Sequence, residues 1–71
     1  MNKRNSSLVG ALSRALGNTL VSAEEQDGML HLNLLYLPPK DEWAEIRRFI
    51  RMFAPNRRVK RQSRSRTVII D

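Results

Sequence analysis

The chain has 71 residues, no cysteine, one histidine and a net charge of +6. Those counts exclude disulfides and a His/Cys zinc site, and leave room for one domain with a small core, near the lower limit for folding alone. Domains this small gain support from disulfides, a metal or oligomerisation, so with the first two unavailable a homodimer or a bound partner is expected.

Residues 1–5 (Met-Asn-Lys-Arg-Asn) read as a disordered basic lead to a domain spanning 6–71. Ser6 or Ser7 can cap a helix, because a hydroxyl accepts one of the unpaired first-turn N–H groups. Leu8, Ala11, Leu12, Ala15 and Leu16 then recur at helical spacing, and Gly17 suits the position just past a helix end. A helix is predicted from Ser7 to Leu16. Lys3 and Arg4 ahead of an apolar stretch have the outline of a targeting leader. Arg14 inside that stretch and Gly17-Asn18 beyond it break the pattern, so targeting is not expected.

Asp27-Gly28 separates two β-like runs and suits a two-residue type I′ turn, in which both residues take positive φ. Setting Gln26 opposite Met29 pairs Ala23 with Leu32, Val21 with Leu34 and Thr19 with Tyr36 on one face. The other face pairs Glu24 with His31, Ser22 with Asn33 and Leu20 with Leu35. One face is thus apolar and the other polar near the turn, as a half-buried hairpin requires.

Pro38-Pro39 ends this hairpin, and Pro39 fits the first turn of a second helix. Asp41, Glu42 and Glu45 sit toward its start, and Arg47, Arg48 and Arg51 toward its end, each complementing the helix dipole. Trp43, Ile46, Phe49, Ile50 and Phe53 share one face and are read as core. Pro55 stops the helix near Phe53.

Arg66 to Ile70 is β-branched and predicts a strand. Val59 is the one apolar residue between Arg57 and Arg61, and no Gly, Pro, Asn or Asp marks a turn in Gln62-Ser63-Arg64-Ser65. Residues 57–66 are therefore read as a mobile basic loop or a loose hairpin. The order α-β-β-α-β, with one further strand if residues 57–61 form one, defines a small single-domain α+β fold. Both helices would pack on one face of an antiparallel sheet.

The apolar runs are too short to span a membrane, and the cysteine-free composition fits a cytoplasmic location. Catalysis is poorly supplied. His31 is the one histidine, no nucleophile–base pair is apparent, and the hairpin sets Glu24 across from His31 as an ordinary cross-strand charge pair. The acids around the turn lack calcium-loop spacing, and the three glycines are scattered rather than grouped to cradle phosphate. No enzymatic activity, metal or cofactor is expected.

The chemistry lies in the charge distribution. Residues 1–23 carry +3, residues 24–45 carry −5, and residues 46–71 carry +8. Such segregation costs self-repulsion and is relieved by a polyanion or an acidic surface. On a helical wheel Lys40, Arg47 and Arg51 line one flank of the second helix, leading into Arg57, Arg58, Lys60, Arg61, Arg64 and Arg66. Lys60 is the one lysine after position 45, and arginine offers a planar fork for phosphate or guanine. These nine residues predict a nucleic-acid-binding surface, DNA or RNA, with an acidic protein surface as the rival partner. The aromatic rings are largely assigned to the core, which favours phosphate contacts over base stacking. For self-association, the apolar face of Leu8 to Leu16 and the edge of Thr67 to Ile70 are the two candidate faces.

Overall fold

A computed structural model describes residues 1–62 and 65–71. It has two helices and a four-stranded antiparallel sheet, in chain order α1 (Lys3–Leu16), β1 (Leu20–Gln26), β2 (Met29–Leu34), α2 (Lys40–Phe53), β3 (Val59–Arg61) and β4 (Thr67–Ile70). The strands lie side by side as β1-β2-β4-β3. The α+β class, the helices and the antiparallel sheet agree with the sequence reading, and β3 is the additional strand.

The hairpin forms at Asp27-Gly28, whose φ values of 53° and 80° are both positive. Ser22 pairs with Asn33, Ala23 with Leu32, Glu24 with His31 and Gln26 with Met29, as the turn dictates. Beyond Ser22 the register differs from expectation. A bulge sets Leu20, not Val21, opposite Leu34. Leu20 then packs on the core while Val21 stays 60% exposed. One inserted residue reverses which side chain turns inward.

Helix α1 starts four residues before the predicted Ser7. Asn2, rather than a serine, is the cap, its side chain accepting from the Asn5 N–H at 2.8 Å. Lys3, Arg4 and Asn5 are thus the first helical turn instead of a disordered lead, and Asn5 is buried. Helix α2 begins after Pro39, which is its extended cap residue.

Leu8 and Leu12 of α1, Leu30, Leu32 and Leu34 of β2, Ile46 and Ile50 of α2, and Val68 and Ile70 of β4 form the core. Trp43 and Phe49 pack at its margin, but Phe53, expected to be core, is 48% exposed and stacks on Phe49 instead. The packing also removes both expected self-association faces. The apolar side of α1 is consumed in the core, and β4 is an interior strand paired with β2 and β3 on its two sides.

At the junction of the chain's scattered segments stands Arg57. Its Nε donates to the main-chain oxygen of Asp71 (3.2 Å), and Nη2 donates to the oxygens of Ile70 (3.2 Å) and Gly28 (3.4 Å). Nη1 donates to Asn5 Oδ1. Asn5 Nδ2 in turn donates to Glu25 Oε2 at 2.8 Å, which also accepts from the Asn2 N–H at 3.0 Å. One guanidinium therefore ties the loop after α2 to α1, the hairpin turn and the end of β4.

Glu25 is an ionic anchor of this network. Its hydrogen bond from Asn5, reinforced by the Asn2 N–H, holds its pKa below the ordinary carboxylate value. A depressed folded-state pKa makes a stability contribution that is complete above the unfolded carboxylate range and fades as pH falls through the folded value. The Tm advantage of the wild type over E25Q is therefore expected to narrow between about pH 5 and pH 3. Thermal melts across that window check it, and a pH-independent gap would remove Glu25 ionisation from the fold's acid response.

Candidate nucleic-acid interface

Helix α2 sorts its charges by face. At 3.6 residues per turn, Lys40, Arg47 and Arg51 fall on the flank beside Trp43, with Arg48 further round. Glu42 and Glu45 fall on the opposite flank, and Asp41 lies on the solvent side next to Arg48. Glu42 and Glu45 line the groove between α2 and α1, together with Leu12, Leu16 and Phe49. Arg47, Arg48 and Arg51 line a separate solvent-facing surface with Ala44 and Met52. Glu42 and Glu45 thus face α1, while the bases, with Asp41 beside Arg48, occupy the side away from it.

The basic side of α2 adjoins β3. The Arg61 guanidinium lies over the Trp43 ring, 5.2 Å from its centroid, a cation–π contact. Trp43 is one helical turn from both Lys40 and Arg47, so this contact sets Arg61 beside that flank. Lys40, Arg47, Arg51 and Arg61 are all exposed. Two segments well separated in the sequence therefore build one basic ridge, with Glu42 and Glu45 turned away from it.

The other predicted residues distribute differently. Strand alternation sends Lys60 to the sheet face opposite Arg61. Arg58 is exposed just before β3, and its carbonyl accepts from the Asp71 N–H at 2.9 Å. Arg66 is exposed but leans back, Nη1 donating to the Leu35 carbonyl at 3.1 Å. Arg57 does not project with the ridge, since its donors are directed into the fold. Burial, and then the nearby Arg4 cation, lower its pKa, with Asp71 and Glu25 opposing. Arg64, like Ser63, lies outside the described residues.

The ridge offers phosphate chemistry rather than base stacking. Trp43, its one aromatic, is capped by Arg61. Tyr36 is half-exposed, but its hydroxyl donates to Glu42 Oε1 at 2.6 Å, on the acidic side. That bond, which favours the protonated phenol, raises the Tyr36 pKa. Phe53 lies at the far end of α2 and lines a groove with Lys3, Arg4 and Leu8 of α1. Among the described residues, no group of three His, Cys, Asp or Glu side chains is placed to hold a metal, and no helix is long and apolar enough to cross a membrane.

His31 meets Glu24 across the strands as read from the sequence, yet its Nε2 is enclosed and has no hydrogen-bond partner among the described residues. Among the described residues the two side chains share register without a hydrogen bond. No protein-family model, curated protein or solved structure matches this chain.

Proposed function

We propose that the chain is a non-enzymatic nucleic-acid-binding protein that grips the phosphate backbone with the ridge formed by Lys40, Arg47, Arg51 and Arg61. The observation that carries this reading is the division of charge across α2, completed by Arg61 over Trp43. Cations gathered without interleaved acids focus a positive potential outward, the electrostatic footprint of a polyanion site. Arg47, Arg51 and Arg61 supply planar forks for phosphate oxygens, and Lys40 adds a point charge at the start of the helix. With no free ring on the ridge, the substrate class is duplex DNA or structured RNA, read through its backbone.

The test replaces Lys40, Arg47 and Arg51 together with Ala. All three are exposed on the helix, and Ala has the best helix propensity, so the fold is retained. Loss of three phosphate contacts on B-DNA should flatten the slope of log K against log salt by about 2.7 units. Fluorescence-anisotropy titrations of wild type and variant, with duplex DNA, single-stranded DNA and structured RNA, measure that slope. Equal slopes for the two proteins would remove the ridge from the binding site. Negligible binding of wild type to all three nucleic acids would assign the ridge to an acidic protein surface instead.

A further inference from the structure

Both helices lie on one side of the sheet, and among the described residues no element covers the other side. Three strands hydrogen-bond across this open face through their side chains. Asn33 Nδ2 donates to Ser22 Oγ at 2.9 Å, and Thr67 Oγ1 donates to Asn33 Oδ1 at 3.0 Å. Val21 and Leu35 border the same hollow as Asn33 and Thr67, and they are 60% and 53% exposed. Exposed apolar side chains gathered on a sheet face mark an interaction surface.

The next row names the partner. Glu24 pairs with His31, His31 with Ile69, and Ile69 with Lys60. Side chains directly opposite share a face, so this row crosses all four strands with an acid at one margin and a base at the other. Glu24 and Lys60 are both exposed, while His31 and Ile69 between them are half-buried. We propose that this open face is the contact of a homodimer, in which Glu24 of each copy meets Lys60 of the other.

Symmetry selects the arrangement. A two-fold axis along the strands, lying between the two sheets, exchanges the margins and sets each β1 over the other copy's β3. Acid then faces base at both margins. An axis across the strands would instead stack Glu24 on Glu24 and Lys60 on Lys60. Aligned face-to-face packing of two sheets is a standard arrangement, and a two-fold contact is self-complementary. The face measures roughly 19 Å by 20 Å from strand spacing and rise. Two such faces bury at most about 760 Å² together, below the roughly 1,200 Å² of stable specific interfaces, so the dimer is weak and dissociates on dilution.

This proposal is independent of the basic ridge, which lies on the helix side. Its test is sedimentation of the full chain over a range of micromolar concentrations, with circular dichroism to verify folding. Wild type is expected to pass from monomer to dimer. E24K and K60E should each raise the dimer Kd by about tenfold or more, since each sets like charges at both margins. Mixing E24K with K60E in equal amounts restores opposite charges at both margins, and the mixture should dimerise at least as tightly as wild type. A wild type that stays monomeric at the highest concentration would overturn the proposal. So would single variants that dimerise unchanged, or a mixture no tighter than its components.

Discussion

Replacing Arg57 with Ala is expected to remove about 3 kcal/mol of stability, because hydrogen bonds to a charged group contribute roughly 1.5–3 kcal/mol and their loss strands buried partners. The variant leaves Asn5 Oδ1 and the oxygens of Gly28, Ile70 and Asp71 without this donor, and Asn5 is buried. A domain of 71 residues has a total of only roughly 4–11 kcal/mol at ordinary per-residue stability. R57A should therefore unfold at a much lower urea midpoint. R57K should recover little of the loss, since a single ammonium cannot span four acceptors set out for a fork. Urea titration of the three proteins measures this. A midpoint for R57A close to wild type would show that the tie is dispensable.

Ile50→Ala should be comparably severe, at about 2–5 kcal/mol, through lost burial and the cavity left behind. Ile50 is fully enclosed in the cluster that includes Leu32, Val68 and Ile70, where the helix layer meets the central strands. Ile50→Val removes a single methyl and should cost about 0.5–1.5 kcal/mol. Met52, two residues along the same helix, is 79% exposed, and Met52→Ala should leave the midpoint within about 0.5 kcal/mol of wild type. Denaturant melts of the series give the ordering. Equal midpoints for Ile50→Ala and Ile50→Val would mean that the core relaxes to fill the cavity.

The elements that sequence reading located were those with a local chemical cause. Asp27-Gly28 fixed the turn, and the turn fixed the register as far as Ser22. The bulge at Val21 escaped, because no residue there is a glycine or proline and an alternating pattern conceals an inserted position. The true start of α1 escaped because its cap, Asn2, lies ahead of the apolar repeat and is supported by distant partners, Arg57 and Glu25. Strand β3 was faint for a different reason. A short edge strand needs only one inward apolar side chain, here Val59, and lysine and arginine along an edge suppress unwanted pairing.

The candidate surface was legible in the same measure. The flank carrying Lys40, Arg47 and Arg51 follows from helical geometry alone. That β3 lies against this flank, and α1 against the acidic one, depends on tertiary arrangement and appears only with Arg61 over Trp43. Arg57 resembled its basic neighbours in every sequence property. Its inward role is set by acceptors 13 to 52 positions away, beyond any local pattern.

The strand order carries a consequence for folding kinetics. Strand β4 fills the middle of the sheet, yet it follows the other three strands in the chain. Leu30 must wait for Ile70, forty positions later, before its strand gains a second neighbour. Until then β1 and β2 are an isolated hairpin, which forms in microseconds but is marginal in water. The closure that sets β4 beside β2 spans α2 and carries the larger loop-closure entropy, so it is the expected slow step of folding.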